Sequence, residues 1–382
     1  MQVISELLKR FHRSKKSESE KKKGLPTLAV VFYALGLFSI ALYIIFLVSP
    51  AFSDFFNRYI ASILRGALAL LTSWIPFSLA EFLLLSLPVI IFIFIRSGLK
   101  QNMDTWRDVG IYCASVLSVL SLVFSMFTLG FASGYRGSTL AEKLELESHG
   151  ATVDELYNTT AYFAELVKSE ADSVTFDANG FSVMPYSYET LNDKLMAAYK
   201  KAGEKYDFLP TLNSRVKPVM LSEAMSYTHI LGIYTFFTGE ANINVAFPDY
   251  TIPATAAHEL AHQRGIARED EANFIAFLVC MESDDPYIRY SGYMSVYEYL
   301  AGALSKADPK KYSEIARSLP NAVTKEMIAY YNFFEKYENS AAADISGTIN
   351  DAYLTLQGTE GTKSYGMVVD LAIAYCNKNA GK

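Results

Sequence analysis

Cysteine is scarce in this chain: three in 382 residues, at positions 113, 280 and 376. That number and spacing rule out a disulfide framework and a cysteine-type zinc site, leaving Cys280 and Cys376 to pair or to stay as buried thiols. There is no Gly-rich phosphate loop, no Gly-x-Ser-x-Gly elbow and no internal repeat, which removes nucleotide-loop chemistry, the hydrolase elbow and repeat arrays. Charge is thin as well, with Asp, Glu, Lys and Arg at 19% against 51% hydrophobic residues. The lysine-rich stretch from Lys15 to Lys23 has no accompanying platform of aromatic residues, so nucleic acid is not an expected partner.

What is abundant is apolar sequence, concentrated in the first third. Residues 27–49 and 109–135 are uncharged runs of 23 and 27 residues, each long enough to cross a hydrocarbon core of roughly 30 Å as a helix. Trp74 to Ile95 makes another span that tolerates Glu81 near one end and Pro88 inside. Three spans are therefore expected, at about 27–49, 74–95 and 109–133, with 52–73 as an interfacial amphipathic helix because Asp54, Arg58 and Arg65 interrupt it. The first run is too long for a signal-peptide core, and no persuasive small-residue cleavage site follows it.

Charge orients the spans. Residues 1–23 carry eight Lys/Arg, and Arg96, Lys100 and Arg107 lie between the second and third spans. Both segments are expected in the cytoplasm, which makes 1–26 a cytoplasmic tail that attracts anionic membrane lipid and puts 136–382 outside. That last region has 21 Lys/Arg and 33 Asp/Glu, a net charge of −12, and enough length for one substantial core. Its pattern reads as α+β: helical stretches at 139–170 and 187–203, short strands near 217–222 and 231–237, an alternating strand at 241–247, then mainly helix after 268.

The five histidines include one decisive pair. His258-Glu259-Leu260-Ala261-His262 sets two imidazoles four residues apart, on one face of a helix, with a carboxylate beside them. A single histidine on an apolar helix reads as a core or surface residue, but composition alone would yield this five-residue pattern only about 0.004 times per chain. Pro253 suits the first turn of that helix and Gly265 its end, giving a helix of about 253–264. Zinc is the default metal for such imidazoles. His12, His149 and His229 are distant in sequence, so the third ligand is sought in the acidic first turn of the next helix, Glu269-Asp270-Glu271, where carboxylates also favour the helix dipole.

These residues resemble the zincin metallopeptidases. In the gluzincin branch the third ligand opens a helical Glu-x-x-Ala-Asp/Asn pattern, which Glu269-Asp270-Glu271-Ala272-Asn273 matches. The resemblance implies a zincin-like domain at 136–382, His258, His262 and Glu269 as zinc ligands, and Glu259 as the catalytic general base. Asn273, one turn beyond Glu269, would then steady a ligating imidazole, and Glu271 is the substitute ligand if the helix is rotated. Two features depart from the branch: the gap from His262 to Glu269 is short, and Arg264 stands where such helices are commonly apolar, which suggests a less enclosed helix. His262-Gln263-Arg264-Gly265 also echoes the metzincins, but their third ligand would fall on Arg268, which cannot bind zinc. The whole layout resembles a family of bacterial membrane proteins of unknown function.

The expected architecture is thus a membrane α-helical region at 27–135 with three spans, followed by an α+β zincin-like extracytoplasmic domain. The expected activity is that of a membrane-anchored zinc metallopeptidase acting on peptide or protein, with the 241–247 strand offering its edge to substrate. A noncatalytic metal-stabilised binding module and a zinc hydrolase of cell-wall amides are the competing expectations. His229, Tyr293, Tyr297 and Tyr365 are candidates for stabilising an oxyanion. The tyrosines from 287 to 299 otherwise read as packing residues.

Overall fold

A computed structural model describes residues 24–100, 105–147 and 150–380. The basic tail at 1–23, with His12, and His149 lie outside the described residues. The chain is mostly helical, running through α1 (Thr27–Val48), α2 (Pro50–Phe56), a π-helical turn (Asn57–Ala61), α3 (Ser62–Ser73), α4 (Leu79–Lys100) and α5 (Trp106–Gly130). There follow α6 (Leu140–Lys143), α7 (Val153–Ala171), α8 (Tyr188–Lys205), β1 (Val216–Pro218), α9 (Ser222–Ser226), β2 (Gly232–Thr235) and β3 (Glu240–Ile243). The chain ends in α10 (Thr251–Gln263), α11 (Glu269–Met281), α12 (Pro286–Ala307), α13 (Pro309–Ser318), α14 (Asn321–Glu335), α15 (Ala341–Leu356) and α16 (Val368–Ala380).

Among the described residues, three helices, α1, α4 and α5, are long and apolar enough to cross a membrane. The second begins five residues later than the sequence suggests, at Leu79 rather than Trp74. Pro76 is the cause: it disfavours helix at Ile75, so α3 ends at Ser73 and a turn intervenes before α4. Residues 50–73 are helical throughout, as expected for 52–73, with a π-helical turn between α2 and α3. Ser49 caps α2 by accepting from the Phe52 N–H, and Pro50 fills its first turn.

Contacts divide the chain into two compact units. In the first, residues 24–38 and 88–124, the Tyr33 hydroxyl donates to the Ala114 carbonyl at 2.7 Å. Gly36 lets α1 approach Ser121 of α5 so closely that a Cβ there would lie 3.1 Å from the Ser121 Cβ.

The second unit, residues 39–87 and 125–380, holds the main core, in which α12 packs against both α7 and α11. The 139–170 stretch is two helices, each opened by a capping box, Thr139 with Glu142 and Thr152 with Glu155. The break comes at Glu145, whose φ of 52° is left-handed. The sheet has three strands in the order β1–β3–β2, with β1 parallel and β2 antiparallel to β3. β3 is therefore central, its four residues all buried, and it has no edge to offer; β2 is the edge strand beside it. β3 also stops at Ile243 rather than 247, because the Asn244 side chain accepts from the Ala246 N–H and donates to the Ile230 carbonyl, turning the chain. The cysteines are unpaired, with Cys280 fully buried.

The ends of all three apolar helices that belong to the second unit are tied to its core. Glu240 of β3 accepts from the Leu79 and Ala80 N–H groups and caps α4, while its Oε1 also meets Lys217, a buried ion pair at 2.5 Å. Phe46 of α1 and Phe127 of α5 join a cluster with Ala267 and Leu354. Arg65 is fully buried and donates to the carbonyls of Gly130 at 2.7 Å, Asn57 at 3.0 Å and Arg264 at 3.3 Å. Replacing it by Ala should orphan these carbonyls and lower the stability of the detergent-solubilised chain by about 3 kcal/mol or more. Arg65→Lys should recover only part of this, since an ammonium lacks the planar fork. Thermal unfolding of the two variants checks the expectation, and a wild-type midpoint for Arg65→Ala would refute it.

Candidate metal centre

α10 carries the histidine pair, and its end is built from backbone geometry. Gly265 has φ of 93°, the Ile266 N–H bonds the Ala261 carbonyl at 3.1 Å and the Gly265 N–H bonds the His262 carbonyl at 2.9 Å, closing the helix in a Schellman turn. This turn reverses the chain within a few residues, which is how the short gap to α11 is accommodated. Glu269 is the first residue of α11 and returns to the histidine face of α10.

There the three expected ligands converge. Glu269 Oε2 lies 3.2 Å from His258 Nε2 and 3.3 Å from His262 Nε2, and one ligand atom from each residue falls within 4.8 Å of the others. The imidazoles stand almost perpendicular, 88° apart, with ring centres separated by 4.5 Å. For a tetrahedron with zinc–ligand bonds of about 2.0–2.1 Å, neighbouring donors sit roughly 3.3 Å apart, so the two nitrogen–oxygen edges fit this group. His262 Nδ1 faces the Ile266 carbonyl at 2.7 Å, an arrangement that holds a proton on Nδ1 and leaves Nε2 as the atom that would bind a metal.

Glu259 is adjacent but differently placed. It is 4% exposed, its carboxyl rests on Gly232 of β2, and a Cβ on that glycine would fall 2.5 Å from Oε1. The Tyr234 backbone N–H also reaches the carboxyl, whereas Oε2 is buried with no hydrogen-bond partner. Burial pushes the Glu259 carboxyl up to about 7 against the pull of the two imidazoles. Burial opposes protonation of His262, but Glu269 beside it outweighs this and raises the imidazole to about 9. Glu269 is itself held well below the carboxylate range: burial works against ionisation and is overcome by the two histidines.

Several expectations change. Glu271 points away, its Oε1 accepting from the Leu140 N–H at 2.8 Å and from Arg268 at 3.0 Å, which commits it to anchoring the start of α6. Asn273 does not steady an imidazole; its amide lies beside the Tyr299 hydroxyl, and the Ile266 carbonyl takes the role at His262. Arg264 does not mark an open helix. It is buried, with its guanidinium 3.8 Å over the Tyr199 ring and hydrogen bonds to the carbonyls of Leu260 and Leu212. Arg268 caps α11 from an extended backbone and binds the Tyr135 carbonyl.

Three of the oxyanion candidates, His229, Tyr293 and Tyr297, meet other side chains. His229 pairs through Nε2 with the Tyr337 carbonyl and packs on Phe334. Tyr293 packs on Phe277 of α11, and Tyr297 lines a cavity with Tyr312 and Tyr331. The Tyr365 side chain is outside the described residues. The phenols whose environment includes Glu269 are instead Tyr299 of α12 and Tyr353 of α15. Neither carried a signal in the sequence; Gly232 had one, since a glycine inside a strand marks a close approach.

Fold and cluster together define a helical protein with, among the described residues, three membrane-length apolar helices and a largely buried His–His–Glu triad. The family described as protein of unknown function, DUF3810, matches residues 52–373, and the chain belongs to it. Comparison with curated proteins and with solved structures gives no match.

The triad makes the metal-free protein sensitive to pH. His262 and Glu259 are both raised above their ordinary values of 6.5 and 4.5, so the folded chain holds protons that the unfolded chain releases. Their contribution to stability is complete below those ordinary values and disappears as pH rises through about 7 and then about 9. Glu269 acts in the opposite sense, stabilising above 4.5 and losing this in acid. The unfolding midpoint of chelator-treated protein should therefore fall between pH 6 and pH 9, and zinc, which needs neutral imidazoles, should flatten that slope. A midpoint that rises over this interval would contradict the assignment.

Proposed function

We propose that the protein is a membrane-anchored zinc metallopeptidase with a zincin-like site acting on extracytoplasmic peptide or protein. The observation that carries this reading is the unpartnered, buried Oε2 of Glu259 beside three converging donor atoms. An orphaned buried carboxylate oxygen costs about 1–3 kcal/mol or more. A site that only stapled the fold would gain nothing from keeping it, so this feature favours catalysis over a noncatalytic binding module.

His258, His262 and Glu269 would hold the metal, leaving one position open. Bound zinc supplies the Lewis acidity that makes a water nucleophilic near neutral pH. Glu259 accepts the proton released on attack and delivers it to the leaving amine, a task suited to a carboxyl held near 7. An extended peptide would run along β2, the edge strand that touches Glu259 at Gly232.

Glu259→Gln should keep zinc and fold while lowering turnover by about 10²–10⁴-fold. His258→Ala, His262→Ala and Glu269→Ala should instead lose bound zinc, and Glu271→Ala should keep it. Metal analysis and assays on peptide libraries and cell-wall fragments check this with purified full-length protein. Unimpaired turnover in Glu259→Gln would overturn the mechanism; cleavage of wall amides alone would move the activity to that substrate class.

The basic segments at 1–23 and 96–107 support an extracytoplasmic placement of residues 136–382. Protease added to intact cells should reach residues beyond 136 and spare the N-terminal tail. Protection of the C-terminal region would reverse the orientation.

A further inference from the structure

α15 exposes a stripe of apolar residues that a helix surrounded by water would bury. Ile345, Ile349 and Leu356 are 62%, 64% and 75% exposed, and with Ala352 they recur at i, i+4, i+7 and i+11, one continuous stripe. A second exposed stripe, Asp344, Thr348 and Thr355, is polar. The third face carries Tyr353, Leu354 and Gln357, which turn toward the protein. Leu354 is fully buried, in the cluster with Phe46 of α1 and Phe127 of α5. Tyr353 packs on Phe127, with ring centres 6.1 Å apart, and Gln357 accepts from the Tyr43 hydroxyl of α1 at 3.3 Å.

These contacts fix the height of the helix relative to the membrane-length segments. Phe127 lies three residues before the end of α5 and Tyr43 five before the end of α1. At 1.5 Å per residue both are about 4–8 Å inside their helices, the depth to which an interfacial helix sinks. We propose that α15 lies in the bilayer surface, with Ile345, Ile349 and Leu356 in lipid, its polar stripe in water and Tyr353 facing the metal centre. The occupant is lipid because α15 packs on the ends of two membrane-length helices, the level at which a bilayer surface would lie beside its exposed apolar stripe. The metal centre shares this level: the Phe131 ring, one residue beyond α5, is 6.0 Å from that of His262. Resting on the peptidase reading, the substrate class that follows is a polypeptide segment held at the membrane surface, such as the stretch beside a membrane anchor.

The test uses the full chain in vesicles. The two native tryptophans, Trp74 and Trp106, are replaced by Phe, and Ile349→Trp or Thr348→Trp supplies the reporter. Brominated phospholipid should quench Ile349→Trp severalfold more than Thr348→Trp, and aqueous iodide should show the reverse order. Equal access of iodide to both reporters would overturn the proposal. So would protection of Ile349→Trp from both quenchers, which would place a second protein copy on this face. In the same vesicles, a peptide library displayed on a transmembrane anchor should be cut severalfold faster than the free library, and Ile345→Lys with Ile349→Lys should erase the difference. Equal cutting of both libraries by the unmodified chain would overturn the substrate class. Absence of all cutting with the lipid quenching intact would refute the peptidase reading and leave the docking of α15 supported.

Discussion

The Arg65 guanidinium is buried and donates to main-chain carbonyls, two of them at helix ends: Gly130 closes α5 and Arg264 caps α10. Burial lowers its proton affinity to about 10, so it remains charged at neutral pH. The partial negative charges at helix C-termini offset part of the cost of that desolvation. What the arrangement achieves is positional. One side chain joins the exit of an apolar helix to the turn that follows His262, and Asn57 adds a hydrogen bond to the Gly265 carbonyl at 2.9 Å. Gly265 is required there twice over, for its left-handed backbone and because a Cβ would collide with Arg65 and Asn57. The placement of His262 therefore depends on the segment between the first two apolar helices.

The electrostatics of the triad follow from that fixed placement. Two imidazoles and a carboxylate converge at a largely buried point, and in the absence of metal, against the opposing effect of burial, Glu269 raises the His262 imidazole while the histidines hold Glu269 low. A divalent cation would relieve the same convergence by accepting all three donors at once. Glu259 stands outside this set because its carboxyl leans on Gly232 of β2, with Oε2 left without a hydrogen-bond partner. Ligand and base are distinguished by which strand or helix each side chain leans on, and not by residue type.

The parts of this architecture that were legible in the sequence are those governed by short-range rules. Three apolar runs gave three membrane-length helices, and the pairing of His258 with His262 needed only the helical repeat. Gly265 announced its own turn. The resemblance that singled out Glu269 named a residue that the fold does bring to the pair. Long-range choices were hidden. The alternation at 241–247 looked half-exposed, but β1 and β2 flank β3 on both sides, and period two cannot distinguish a central strand from an edge. Arg264 and Arg65 looked like signs of exposure because charge usually is; both are instead buried against carbonyls supplied from far along the chain, and Arg264 also lies over the Tyr199 ring.

Asn273 is the clearest instance of pattern and packing parting company. Its position one turn after Glu269 fits the pairing that the resemblance implied, yet the carbonyl of Ile266 is already within 2.7 Å of His262 Nδ1. The Schellman turn aims that carbonyl back at the ring of the same helix, so a partner four residues away in sequence arrives before one eleven residues away can compete. His258 Nδ1 is left without a partner instead, and is the looser of the two imidazoles. A site assembled this way has one ligand fixed by the backbone and one held only by its neighbours. Reorganisation on metal binding should therefore begin at His258, with His262 serving as the fixed point.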